Sequence, residues 1–79
     1  MKSVLLNEQR KEFRRWSRAR CEEIEKAADF EAALSVYCST MDSLRLIQRL
    51  FPGEPLELTK GNLEVSLQMV FDKIIEDCK

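Results

Sequence analysis

Histidine is absent from this 79-residue chain, and glycine and proline occur only twice each. Without histidine there is no Cys/His zinc site and no Ser-His-Asp or Cys-His nucleophile. A Gly-rich phosphate loop is also missing, because Pro52-Gly53-Glu54-Pro55 follows no strand and lacks the required glycines. The three cysteines, Cys21, Cys38 and Cys78, are odd in number and widely spaced. Neither a disulfide framework nor a cysteine-only metal site is expected from them, and a reduced setting suits them best. No apolar run reaches transmembrane length, and Met1–Asn7 is too short an apolar stretch for a signal peptide. Adjacent carboxylates at Glu22/Glu23 and Glu76/Asp77 diverge on a helix and read as solvated charges. The expectation is a cytoplasmic protein that is not an enzyme, with no cofactor, no metal, no membrane span and no small-molecule substrate.

What the chain does have is helix-forming composition and a polarised charge. Hydrophobic residues make up 44% of it, enough for the core of one small domain spanning residues 1–79. A chain this short buries only about 60–65% of its unfolded surface, so stability is thin and self-association is a natural supplement. The formal net charge of −1 hides two opposed segments. Residues 1–20 carry seven Lys/Arg against two Glu, and residues 21–79 carry six against twelve acids. Such asymmetry suits an acidic partner.

Between Asn7 and Phe51 there is neither glycine nor proline, and apolar residues recur at helical spacing. Phe30, Leu34, Tyr37, Met41, Leu44, Gln48 and Phe51 step by alternating fours and threes, an a/d seam that only Gln48 interrupts. One continuous helix and a hairpin turning near Ala27-Ala28-Asp29 both fit this pattern. Asp29 as an N-cap, with Glu31 in the following turn, and the usual helix length of about 10–14 residues favour the hairpin. A further helix is predicted to start at Thr59, with Leu58 and Leu63 as a hydrophobic staple, or at Asn62, because Gly61 weakens the earlier start. The expected fold is all-α: a helical hairpin (about 7–27 and 29–51), a loop at 52–58 and a C-terminal amphipathic helix (59–78), completed by dimerisation. Leu56 and Leu58 are expected to fold back from the loop onto the core, and Cys21 and Cys78 to serve as small apolar residues.

On the first helix Leu6, Phe13, Ile24 and Ala27 share the inward face, with Trp16 at its edge, while Arg10, Lys11, Arg14, Arg15 and Arg18 spread over the opposite half. Guanidinium groups so clustered suit carboxylates of an acidic protein surface or phosphates of RNA or DNA. The run is similar in composition to arginine-rich RNA-binding peptides. Arg20 falls on the apolar meridian, where an unpaired charge is costly, so it is expected to pair with Asp42, Asp72 or Asp77 of another helix or to snorkel to an edge. Val36, Leu46, Ile47, Leu50, Val65 and Met69 lie off the main stripes and are the expected self-association surface. The chain therefore reads as a small interaction or regulatory module that forms a homodimer and offers a basic helix to an acidic partner. Nucleic-acid binding through the same helix is the alternative.

Overall fold

The computed structural model describes residues 5–78; Met1–Val4, part of the apolar stretch considered above, and Lys79 lie outside that range. Three helices follow one another, α1 (Asn7–Glu25), α2 (Phe30–Leu50) and α3 (Glu57–Asp77), and every pair is in contact. No strand occurs among the described residues. The protein is a small all-α, three-helix bundle.

The break between α1 and α2 comes from capping chemistry. Asp29 is extended, and its Oδ1 accepts from the Ala32 N–H at 2.8 Å, satisfying one of the unpaired donors that begin a helix. Glu31 adds negative charge to the same turn. At the start of α1, Gln9 Oε1 accepts from the Leu6 N–H at 2.8 Å. This is half of a capping box, since Leu6 has no side-chain acceptor to return the bond.

The start of α3 differs from expectation. It begins at Glu57, two residues before Thr59, and its cap residue Leu56 offers no side-chain bond. Leu56 is 2% exposed and enters the core, whereas Leu58 is 78% exposed and forms no staple. Burial decides the matter: driving Leu56 inward turns Leu58 to the opposite side of the first helical turn. Gly61 is accommodated within α3 with ordinary negative φ, and a Cβ there would meet open space.

The core is narrow. Ile24, Ala33, Leu44, Leu56 and Leu63 form its buried cluster, and Phe13, Trp16, Tyr37, Met41 and Leu67 are among the half-buried side chains packed around it. The innermost α2 positions are Ala33, Thr40 and Leu44, so the predicted a/d seam is rotated toward smaller residues. Leu34 is 38% exposed as a result, and Gln48 is also exposed, with its Oε1 3.5 Å from Lys60 Nζ. A helix that touches two neighbours buries a stripe wider than a coiled-coil seam, and in the middle of that stripe two of the three positions, Ala33 and Thr40, are small. Thr40 satisfies its hydroxyl by donating to the Val36 carbonyl at 2.7 Å.

Two substitutions test these assignments in urea denaturation followed by circular dichroism. Asp29→Ala removes the α2 cap and is expected to lower stability by about 1 kcal/mol. Gly61→Ala, adding a methyl group into open space on a regular helix, is expected to raise it by about 0.5–1 kcal/mol.

Candidate protein-interaction surfaces

The five cations expected to form one outward surface are sorted by the fold into three environments. Arg10 is half-buried and engaged: its Nη2 lies 3.4 Å from Glu54 Oε2, and its Nε is buried without a hydrogen-bond partner. The same Glu54 oxygen accepts from the Leu5 N–H at 3.0 Å, and the Glu54 side chain is only 9% exposed. Glu54 thus clasps the start of α1 to the loop between α2 and α3. Glu54 is not among the expected site residues, because a contact across 44 positions leaves no local signature in the sequence.

Lys11 and Arg15 have local partners. Lys11 lies 3.8 Å from Glu8 and Arg15 2.9 Å from Glu12, both at i,i+3 and well exposed. Such pairs contribute little to stability but partly neutralise the cations. Arg14 and Arg18 are exposed and form no ion pair among the described residues.

Arg20 pairs on its own helix, with Nη1 2.9 Å from Glu23 Oε2, and not with Asp42, Asp72 or Asp77. Its guanidinium also lies 6.0 Å from the Trp16 ring centroid. A partner three residues away is reached without crossing the core, and the side chain stays one-third exposed. Arg20 is therefore an edge charge that covers Trp16.

Two grooves flank α1. The first, between α1 and α3, has a volume of about 460 Å³ and carries Arg14 and Arg18 on one wall and Leu58 and Val65 on the other. Ser17 and Ser66 line it and are buried, small enough for the helices to approach closely. Cys21 lines the same groove half-buried, while Cys38 and Cys78 are exposed; Cys78, at the end of α3, is not the apolar packing residue expected. The second groove, between α1 and α2, is floored by Leu5, Phe13, Trp16 and Ile47, with Glu8 and Glu12 along the α1 side. Phe13 and Trp16 pack at 5.8 Å between centroids.

The residues expected to mediate self-association do not share one face. Val36 and Ile47 turn partly inward and pack against the core. Leu46 and Leu50 remain more than half exposed on α2, and Val65 and Met69 likewise on α3. Because Val65 lines the α1/α3 groove and Ile47 the α1/α2 groove, the basic face of α1 separates the two sets. Leu34, Phe71 and Ile75 add a third exposed apolar region, where Phe30 meets Phe71 at 5.5 Å. Tyr37 holds its phenol above the ordinary value of 10.0, chiefly through burial, with Glu64 adding to the shift.

Among the described residues no helix is long and apolar enough to cross a membrane. No group of three His, Cys, Asp or Glu side chains is placed to hold a metal ion there. Searches against protein-family models, curated proteins and solved structures found no match to this chain.

The Glu54 clasp predicts a specific cost. Glu54→Ala leaves the Leu5 N–H without its acceptor and Arg10 without its counter-charge, and should lower stability by about 1–2 kcal/mol. Arg10→Ala, which spares the Leu5 bond, should cost less than Glu54→Ala. Denaturant midpoints together with amide exchange at Leu5 measure both.

Proposed function

We propose that this chain is a small, non-enzymatic helical interaction module, cytoplasmic and regulatory in character, that self-associates and presents α1 to an acidic protein partner. The observation that carries this reading is the pairing of two unneutralised arginines with exposed aliphatic side chains in one groove. Arg14 and Arg18 lie one helical turn apart on the α1 wall, and Leu58 and Val65 stand on the α3 wall. An amphipathic helix with carboxylates along one edge and apolar residues along its centre matches that arrangement. Each guanidinium can take a carboxylate through two parallel hydrogen bonds, in a setting drier than open surface. Glu25, at the far end of the groove, repels an acidic segment there and sets a polarity for binding. Three free thiols accord with a reducing compartment.

Nucleic acid is less well served by the same surface. Glu8 and Glu12 lie among the cations, within ion-pair reach of Lys11 and Arg15, and would face any phosphate backbone bound along α1. Backbone-driven binding depends on adding uncompensated cations, and of the cations described within α1 only Arg14 and Arg18 qualify.

Fluorescence anisotropy with a labelled acidic amphipathic helical peptide and with a labelled duplex oligonucleotide tests the reading. The peptide should bind, and Arg14→Ala/Arg18→Ala should weaken it roughly tenfold or more. Lys11→Ala/Arg15→Ala should weaken it less. Salt-sensitive oligonucleotide binding that exceeds peptide binding and is lost in the Arg14/Arg18 variant would replace the protein partner with nucleic acid.

A further inference from the structure

We propose that the α1/α3 groove receives a phosphorylated serine or threonine of the acidic partner, its phosphate held by Arg14 and Arg18 above the hydroxyls of Ser17 and Ser66. This names the chemistry of the acidic partner proposed above and rests on that reading. The groove is lined by hydrogen-bond donors. On α1 it presents the two arginines and Ser17, and on α3 it presents Thr59, Asn62 and Ser66. Glu25, at the far end, is the one carboxylate among its lining residues.

Ser17 and Ser66 are the members that point to a ligand. They are only 9% and 5% exposed. A hydroxyl on a helix can return its hydrogen bond to the carbonyl four residues earlier, as Thr40 does at 2.7 Å and Ser43 at 3.3 Å. Neither Ser17 nor Ser66 makes that bond, or any other side-chain hydrogen bond among the described residues. Nor is either oxygen sealed from solvent, since Arg10 Nε is the buried, unpaired side-chain atom of the described residues. Both hydroxyls therefore keep contact with the groove they line, and an unmade hydrogen bond at a buried group is costly.

Helical periodicity orders these groups in depth. At about 100° per residue, Ser17 lies roughly 60° round α1 from Arg14, toward the side of buried Ile24. On α3, Ser66 lies between exposed Val65 and buried Leu63. The arginines stand at the rim, and the hydroxyls lie below them between the helices.

The number of acceptors separates the candidate anions. A carboxylate offers two oxygens, and one bidentate arginine engages both at once. A phosphate monoester offers three terminal oxygens and a charge of about −1.5 to −2 near neutral pH. Both guanidiniums and a deeper hydroxyl then have an acceptor. Leu58 and Val65, exposed on the α3 wall, give apolar contact to the segment that carries the phosphate, which a free phosphate lacks. Glu25 repels the anion and keeps it at the arginine end.

Three labelled amphipathic helical peptides test this by fluorescence anisotropy, identical except for Ser, Glu or phosphoserine at one position on the acidic edge. The phosphoserine peptide should bind roughly tenfold or more tightly than the Glu peptide. Ser17→Ala/Ser66→Ala should weaken the phosphoserine peptide roughly fivefold and leave the Glu peptide unchanged. Unchanged Glu-peptide binding also reports a folded variant, and alanine suits a helix interior. Equal affinity for the Glu and phosphoserine peptides, or a preference indifferent to the Ser17/Ser66 variant, would overturn this site and leave the acidic-partner reading standing. Displacement of the phosphoserine peptide by free phosphoserine or by a duplex oligonucleotide at equal concentration would rule out a phosphorylated protein segment as the occupant. Failure of all three peptides to bind would defeat both readings together.

Discussion

The structure depends on how little room lies between three helices of about twenty residues. Ile24, Ala33, Leu44, Leu56 and Leu63 fill the enclosed space, with Leu5 buried at one end. Nine large apolar side chains among the described residues stay exposed, more than the buried cluster holds. A three-helix bundle of this length encloses one line of side chains, and the helices carry apolar groups well beyond that line. Grooves on either side of α1 follow from this excess, as does the advantage of covering them with another chain.

Much of the fold was legible because its signals are local. The hairpin turn could be read from Asp29, whose cap needs only the residues that follow it, and the loop from Pro52 through Pro55. The position of α3 was misread because a staple at Leu58 and burial of Leu56 compete for the same turn, and tertiary packing decided between them. The α2 seam was misread for a related reason: side-chain size ranks Leu34 above Ala33, whereas the crowded axis selects the smaller residue. Arg20 was placed on the apolar meridian, with Asp42, Asp72 or Asp77 as partners or an edge as its outlet; it lies at the edge, and its partner Glu23 stands one turn away.

The basic segment shows where charge counting stops being informative. Composition makes Arg10, Lys11, Arg14, Arg15 and Arg18 equivalent, but their surroundings do not. Arg10 is occupied by a loop carboxylate 44 residues away in sequence, a contact with no local signature. Lys11 and Arg15 are engaged by glutamates visible at i,i+3 spacing. Arg14 and Arg18 are the two cations of this run without an ion pair among the described residues, and they share a groove with Leu58 and Val65.

Gly61 gives the α3 wall of that groove an uneven stiffness. The first turn of α3 has no side-chain cap and presents Leu58 to solvent, Gly61 follows directly after it, and the next turn is anchored in the core by Leu63 and Ser66. Within that turn Leu56 is the residue held by the core, while Leu58 stands free of it. A ligand pressing on Leu58 would meet a compliant lip, whereas one pressing on Val65 would meet a rigid shelf. The groove can adapt its mouth without altering the spacing of the two arginines opposite.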